Sequence, residues 1–267
     1  MKNLVRLLLG IPLLLVPALG RSQGLVNALQ TDFTTRTSVA LDWRLVRGLH
    51  LEAAYELRTE HVLSKIDRHQ FSAGLQYKFN DWLKAGLSYT FFDRYGTKSG
   101  WEPRHRLGGS LTFGYHLGDW RLSLRETLQL THKTGDFNPY QEPRNALALK
   151  SRFKIQYKGF ATVEPYALFE LKATLNDPTC KATWNSAAAA YTDYSFTGYN
   201  DSYLSRYRGG LGLKWKLSPV HALNFYGLFD YYYEKAIDTN RAGTELKSLT
   251  YNQMFNTTLG IGYTFSF

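Results

Sequence analysis

Apolar and polar residues alternate with a period of two along most of the chain. Over residues 33–45 the odd positions carry apolar or threonine side chains, whereas Arg36, Asp42 and Arg44 lie among small residues at the even positions. The segment that ends at Phe267 repeats the alternation, with aromatic and aliphatic residues at one parity and Gly, Ser, Thr and Asn at the other. This period is typical of a β-strand that has one apolar and one polar face.

The same pattern recurs in eleven runs, several of them about 11 to 15 residues long. A tilted strand needs about 9 to 11 residues to cross a bilayer, so these runs are long enough. The runs are 33–45, 49–58, 70–79, 83–91, 106–117, 120–130, 145–157, 161–172, 203–217, 222–234 and 251–267. Bacterial barrels normally have an even number of strands. We therefore expect about 12 strands, with 10 possible.

Three explanations would reconcile the eleven runs with an even number of strands. Residues 23–31 could supply a twelfth strand, the first run could lie outside the barrel, or the N-terminal segment could thread the lumen.

Short and long connections alternate between the runs. The tight turns read VRG, ND, GD, KG and SPVH, and the other connections are 62–67, 94–103, 133–144, 173–202 and 235–250. Short periplasmic turns and longer extracellular loops are typical of an outer-membrane barrel, and aromatic residues gather beside the tight turns, as in a membrane girdle. The pattern predicts an all-β, transmembrane, antiparallel up-and-down β-barrel, closed so that every backbone group in lipid is paired. A secreted β-sandwich is the alternative.

The first residues have the plan of a secretory signal peptide. Lys2 and Arg6 precede an apolar run over residues 7–16, and small residues follow it. This run is too short to span a bilayer comfortably, so we predict cleavage after Gly20 or Ser22, with Ser22 favoured. The predicted organisation is a signal peptide at 1–22 and one barrel domain at 23–267, located in the outer membrane of a Gram-negative bacterium.

Composition narrows the classes of function. Aromatic residues make up 15% of the chain and the formal net charge is +10, but the basic residues are scattered through the strands. A nucleic-acid partner is therefore not expected. The single cysteine, Cys180, excludes an internal disulfide framework and a cysteine-based metal cluster.

Several segments carry a resemblance to a known family. They are SKIDRHQF, WEPRHRLGGSL, PYALFEL, YRGGLGLKW and the closing GIGYTFSF. In these segments, and in their order and spacing over about residues 32–267, the chain resembles a bacterial outer-membrane β-barrel family known as domain of unknown function 2490. The segment 173–202 looks like an insertion relative to that family. The resemblance implies a membrane barrel, and it implies no activity and no catalytic residues.

The polar faces of the predicted strands carry many charges, which would line the lumen. Buried charges must be paired or hydrated, so we expect a ladder of cross-strand ion pairs; the alternative is a wet, basic pore that favours small anions. The lumen residues selected are Arg36, Arg44, Glu52, Glu56, Arg58, Arg106, Arg121, Arg125, Arg152, Arg206 and Arg208.

Two further groups stand out at the ends of the strands. Glu102, Arg104, His105 and Arg106 lie where a long loop enters a strand, and they are expected to clamp that loop over the barrel mouth or to bind an anion such as a lipopolysaccharide phosphate. A second group, on the last strand, is expected to act as an assembly signal for the barrel-assembly machinery. Its members are Tyr263, Phe265 and Phe267.

Sequence motifs for catalysis are absent. The chain has no G-x-S-x-G elbow and no H-E-x-x-H motif. Glu126 interrupts the apolar face of its strand, and the expected register places Ser151 opposite it, with His132 nearer the loops. These residues define the alternative of a lipid-modifying enzyme, besides that of a surface-binding barrel acting through residues 173–202. The main prediction is a non-enzymatic, narrow or structural barrel without cofactor or metal, in contact with outer-membrane lipid and lipopolysaccharide.

Overall fold

The computed structural model describes residues 25–96, 100–135 and 137–267, and this part of the chain is all β. The predicted signal peptide, residues 1–22, lies outside the described residues. None of the residues described forms a helix that is long and apolar enough to cross a membrane. The strands are β1 Leu25–Val26, β2 Gln30–Val46, β3 Leu49–Glu60, β4 Lys65–Lys78, β5 Leu83–Gly96, β6 Gly100–Leu117, β7 Trp120–Lys133, β8 Asn145–Tyr157, β9 Val163–Asn185, β10 Ala190–Lys216, β11 His221–Thr239 and β12 Leu246–Ser266.

Strands β2 to β12 form one closed barrel. Each pairs antiparallel with the next along the chain, and β12 then pairs with β2 to close the cylinder. This last pairing is parallel and runs from Met254 opposite Gln30 to Ser266 opposite Asp42. The two residues of β1 also pair parallel with β12, at Thr250 and Tyr251.

The predicted all-β, antiparallel up-and-down architecture is confirmed, and eleven long strands plus β1 agree with about twelve. The way the barrel closes was not among the expectations. An odd number of alternating strands leaves the first and the last pointing the same way, so they meet as a parallel pair. The first predicted run is therefore a barrel strand, and residues 25–29 add only the short β1 rather than an antiparallel twelfth strand.

The barrel is apolar outside and polar inside. Among the described residues, the buried hydrophobic ones are only Phe92, Leu124, Ala173, Leu228, Ile237 and Leu246. By contrast, Leu87, Leu107 and Leu211 expose 72%, 56% and 64% of their surface on the outer face. The residues of opposite parity on the barrel strands point inward and include the buried charges Arg36, Glu170, Arg208 and Asp230. The two parities that alternate along the sequence thus correspond to the outer and inner faces of the barrel.

Two inward-facing tyrosines lie flat against glycines of the neighbouring strand. The Tyr166 ring covers Gly212, and the Tyr226 ring covers Gly260, so a Cβ at either glycine would overlap the ring. The registers Gly212 opposite Tyr166 and Gly260 opposite Tyr226 bring each pair together. Glycine is thus required at these two positions by the close approach of a ring, which fixes where the tyrosine hydroxyls lie in the lumen.

Residues 173–202 are mostly strand rather than the predicted long loop. Here β9 and β10 continue beyond their neighbours as a two-stranded hairpin, in which Trp184 packs edge-on against Tyr191 with ring centroids 4.9 Å apart. The physical reason is the abundance of Thr, Tyr and Ser in this segment, which favours strands even where the alternation of hydrophobicity is weak. We call this segment the hairpin extension and its side of the barrel the long-loop end; the opposite side is the short-turn end.

The connection between β7 and β8, residues 134–144, reaches across to the neighbouring long-loop connections. The Tyr199 hydroxyl donates a hydrogen bond to the carbonyl of Pro139 over 2.8 Å. Asn138 Nδ2 donates to Thr239 Oγ1 over 3.1 Å, and the Tyr140 ring meets Phe196 edge-on. These contacts join the connection to both the hairpin extension and the end of β11.

Candidate functional site: the charged lumen

Several of the most buried charges form a network between neighbouring strands of one wall. Arg208 donates two hydrogen bonds to Asp230, over 2.5 and 2.8 Å, and Arg36 approaches the same carboxylate at 3.8 Å. Asp230 has no exposed surface. The cross-strand register Arg208 opposite Asp230 produces this bidentate geometry, in which each charge loses water but gains a counter-charge.

Glu170 is the centre of the same network. Its carboxylate accepts hydrogen bonds from Arg152, over 2.6 Å, and from Arg206, and Arg208 lies 3.7 Å away. Only 1% of its surface is exposed. One carboxylate thus connects β8, β9 and β10, and three arginines converge on it because positions of one parity on adjacent strands face the same space.

A second network lies on the wall formed by β3 to β6. Arg58 pairs with Glu56 over 2.5 Å, and Arg68 pairs with Asp67 over 2.6 Å. The Phe92 ring is 2% exposed. It has the Arg68 and Arg106 guanidinium groups 5.5 and 4.5 Å from its centroid, each in cation–π geometry.

Sequence reasoning missed Asp67 and Phe92 as members of this network. Asp67 has the parity of the outer face, but a β-bulge between Arg58 and Thr59 changes the local register and lets the carboxylate reach Arg68. The sequence does contain a signal that Phe92 faces the lumen, because this aromatic residue has the parity of the polar residues of its strand. The bulge had no recognisable sequence signal.

All eleven predicted lumen residues lie on the inward parity of their strands. Arg36, Glu56, Arg58, Arg152, Arg206 and Arg208 enter the ion-pair networks, and Arg106 stacks on Phe92. Arg125 donates to Thr112 Oγ1 over 3.0 Å. Glu52 and Arg125 line a cavity. Arg44 and Arg121 lie toward the short-turn end, opposite His50 and His116. The predicted cross-strand ion pairs are thus present in the first network. The Arg58–Glu56 and Arg68–Asp67 pairs of the second network instead join residues of one strand.

Cavities remain between the charged side chains, and two of them lie in the described part of the lumen. One of about 190 Å³ lies against β3 to β9 and is lined by Glu52, Gln76, Arg125, Lys150 and Arg152, among others. The second, of about 290 Å³, lies nearer the short-turn end. Arg152 lines both cavities, so its ion pair with Glu170 stands between them.

The four residues of the predicted loop clamp lie near the start of β6, which begins at Gly100. Glu102 and Arg104 pair over 2.9 Å, His105 lies on the outer face with the Tyr89 hydroxyl 2.7 Å away, and Arg106 points inward. A loop is nevertheless attached here, since Thr134 of the β7–β8 connection donates to the Pro103 carbonyl. The chain alternates faces along β6, which separates residues that are adjacent in sequence.

A polar pair lies among leucines on the outer face, near the middle of β7 and β8. Ser151 donates a hydrogen bond to Glu126 over 2.6 Å, and the predicted register that places them opposite each other is confirmed. His132 lies six positions from Glu126 along β7 and is engaged with Asn145. The three residues are not assembled into a catalytic triad. Within the described ranges, no group of His, Cys, Asp and Glu side chains could hold a metal ion.

The aromatic residues of the last strand lie at the short-turn end of the parallel seam. Tyr263 is 2.6 Å from His221 Nδ1, and the Phe267 ring packs against Trp43 at 5.6 Å. The backbone of Phe267 donates to Asp42 and accepts from Arg44, which extends the pairing of β12 with β2. Phe265 lies between the two, 5.2 Å from Phe267. This cluster ties the final strand to the first.

A separate polar cluster attaches the hairpin extension to β11 at the long-loop end. The Lys235 side chain is 5% exposed. Its ammonium group pairs with Asp201, donates to the Pro178 carbonyl over 2.6 Å and lies 3.6 Å from Asp177. The Tyr203 hydroxyl donates to Asp177 over 3.3 Å. Burial raises the pKa of Asp177 to about 6, because the loss of water and the nearby Asp201 carboxylate outweigh the attraction of Lys235.

This raised pKa makes the hairpin attachment pH-dependent. A carboxyl group whose pKa is higher in the folded state stabilises that state at low pH, and this stability is lost as pH rises through about 6. We expect opening of the hairpin extension to become easier between pH 5 and pH 7, by on the order of 1–2 kcal/mol. Amide hydrogen exchange over residues 173–202, corrected for intrinsic rates, measures it.

Two variants provide the comparison. Asp177→Asn should abolish the pH dependence, whereas Asp193→Asn, near the exposed tip of the same hairpin, should leave it unchanged. Equal protection at both pH values in the wild-type protein would contradict the role assigned to Asp177.

Comparison with known proteins identifies the family of this barrel. The family model described as "Protein of unknown function (DUF2490)" matches residues 33–241, which include the two charged networks and both cavities' principal strands. No curated protein matches the chain. The match covers most of the sequence, in agreement with the resemblance of its motifs, and the chain therefore belongs to the DUF2490 family of proteins of unknown function.

Proposed function

We propose that this protein is a non-enzymatic barrel of the bacterial outer membrane, exported by a cleaved signal peptide at 1–22, whose ion-paired lumen keeps the barrel closed or very narrow. In this proposal the short-turn end faces the periplasm and the long-loop end faces outward, in contact with lipid and lipopolysaccharide. The barrel-assembly machinery recognises the aromatic residues Tyr263, Phe265 and Phe267 of the last strand. The observation that carries the proposal is that the outer face of the barrel is apolar and the inner face is charged, the reverse of a water-soluble protein.

The height of the outer apolar surface supports a membrane location. On β6 the outward residues between Tyr115 and His105 span ten positions, which corresponds to about 25 Å along the barrel axis at the usual strand tilt. Exposed rings lie toward both ends. Trp82, Trp120 and Trp215 lie at the short-turn end, and Tyr89, Tyr95 and Trp101 lie toward the long-loop end. An apolar band of this height between two aromatic girdles is typical of transmembrane barrels.

The lumen supports a closed or narrow barrel rather than a wide channel. The Arg208–Asp230–Glu170 network joins β9, β10 and β11 and is almost fully buried. Breaking one of these ion pairs would leave an unpaired buried charge, which is unfavourable. We therefore expect the paired side chains to keep their positions in the lumen.

A pair of arginine substitutions tests the membrane location. Leu87 on β5 and Val62 in the β3–β4 turn are equally exposed, at 72% and 71%, so water alone would tolerate arginine equally at both. In phospholipid vesicles we expect Leu87→Arg to lower the free energy of unfolding by about 2–4 kcal/mol. The change for Val62→Arg should stay below about 0.5 kcal/mol. Reversible urea titration in vesicles measures both.

Equal effects of the two substitutions would contradict a lipid-facing β5. The same pair in a micelle of short-chain detergent serves as a reference for folding, because both variants must first reach the barrel state to be compared.

A small anion-preferring pore is the second candidate function. The observation that favours it is the pair of cavities lined by cationic side chains, which share Arg152 in their linings. In a narrow passage, an excess of fixed positive charge attracts anions and excludes cations.

Single-channel recording in a planar bilayer separates the two candidates. We expect no stable conductance from the wild-type protein, and steady current from Arg152→Ala, because that change connects the two cavities while Glu170 keeps Arg206 and Arg208 as partners. Arg44→Ala removes the same charge near the short-turn end and should stay silent.

Steady, anion-selective current from the wild-type protein would contradict the closed barrel and establish the pore. A silent Arg152→Ala variant would contradict the assignment of this side chain as the partition between the cavities.

A further inference from the structure

We propose that the cavity at the short-turn end of the lumen is a binding site for a phosphate-sized oxyanion, held by Lys154, Lys214 and Asn224. The inference rests on the proposed function only for the compartment that supplies the ligand, which would be the periplasm. The site itself is defined by side chains of β8 to β12.

The cavity has the size and position that such a ligand requires. Its volume is about 290 Å³, whereas a water molecule occupies about 30 Å³ of the liquid, so an oxyanion fits with part of its hydration shell. Lys214 lies two residues from the end of β10, and Thr264 lies two from the end of β12. The cavity is therefore near the short-turn end of the barrel.

Its charge is unbalanced. In the part of the chain that the structure describes, neither Lys154 nor Lys214 has a carboxylate within ion-pair distance, although both line the cavity. The acids of this region are already engaged. Glu170 binds Arg152 and the two β10 arginines, and Glu164 pairs with Lys216 over 2.5 Å and accepts from Gln156 over 2.7 Å.

Neutral groups hold the cationic ones in position. The Tyr166 hydroxyl donates to Asn224 Oδ1 over 3.0 Å, which leaves the Asn224 Nδ2 as the free donor of that amide. The Tyr166 ring is itself held against Gly212, and the Lys154 ammonium lies 3.9 Å from its centroid. The cavity is thus a built arrangement, in which one tyrosine orients both an amide and an ammonium group.

The donors favour a tetrahedral oxyanion over a planar carboxylate. The one guanidinium fork at the cavity, Arg152, is already bonded to Glu170, so no free bidentate partner for a carboxylate remains. Two ammonium groups and an amide approach from three strands, and lysine binds phosphate as a point charge without a planar requirement. Inorganic phosphate and the terminal phosphate of a small phosphomonoester share this chemistry.

Calorimetric titration of the full chain, folded in zwitterionic micelles, tests the site with inorganic phosphate and with glycerol 3-phosphate as probes. We expect saturable binding, weakened about tenfold by Lys154→Gln and by Lys214→Gln. Lys84→Gln is the matched control: it removes an inward-facing lysine of β5 that does not line this cavity, and it should change the affinity less than twofold.

A second variant guards against loss of folding. Asn224→Asp keeps an acceptor for the Tyr166 hydroxyl but places a carboxylate in the cavity, so we expect it to abolish binding of both probes while the barrel stays folded. Heat-modifiable migration on a detergent gel verifies the fold of each variant.

The outcomes are distinct. Binding of glycerol 3-phosphate without inorganic phosphate still supports the site and assigns it to phosphomonoesters. Absence of saturable binding to either probe, or an equal loss in Lys84→Gln, overturns the proposal. Because the titration is done in micelles, its failure is separate from a failure of the Leu87→Arg test, which bears on the membrane location alone.

Discussion

The structure depends on the pairing of charges inside a cylinder whose outer face is apolar. Arg208, Asp230 and Glu170 each lie at 5% exposure or less, where an isolated charge would be prohibitively unfavourable. Their mutual contacts make the inward face tolerable, and the closed sheet in turn holds the strands in the register that brings them together. The pairing of the buried charges and the closure of the barrel therefore depend on each other.

The parallel seam between β12 and β2 is the geometric consequence of eleven alternating strands. It joins the polypeptide's first and last barrel strands along thirteen opposed residue pairs, from Gln30 to Asp42 on β2. Inside the seam, Thr34 and Thr258 bond over 2.7 Å and Asn256 donates to Thr34. Outside it, Trp43 meets Phe267. The seam thus continues both faces of the barrel without interruption, which allows an odd number of strands to close.

Much of the architecture could be predicted from the sequence, because a period of two reports directly which residues share a face. It assigned all eleven lumen residues to the inward parity and placed Ser151 opposite Glu126. The parallel closure could not be read in the same way, since it depends on the strand count and not on any local pattern. The choice of ion-pair partners within the lumen could not be predicted either. Arg208 faces both Glu170 and Asp230, and only side-chain geometry decides that Asp230 receives the bidentate contact.

The position of Phe92 and the bulge beside Asp67 likewise depend on local geometry. The hairpin extension was not predicted because its polar β-forming residues resemble those of a loop.

The central claim is that the outer parity of the strands faces lipid and the inner parity faces a polar lumen. The most direct measurement is nitroxide accessibility along β5, with single spin labels at successive positions from Leu83 to Phe91 in a Cys180→Ser background, reconstituted in bilayers. The account predicts that the odd positions collide with oxygen and not with a water-soluble nickel complex, with the contrast greatest at Leu87, and that the even positions lack this preference. Free access of the nickel complex to the odd positions would contradict it.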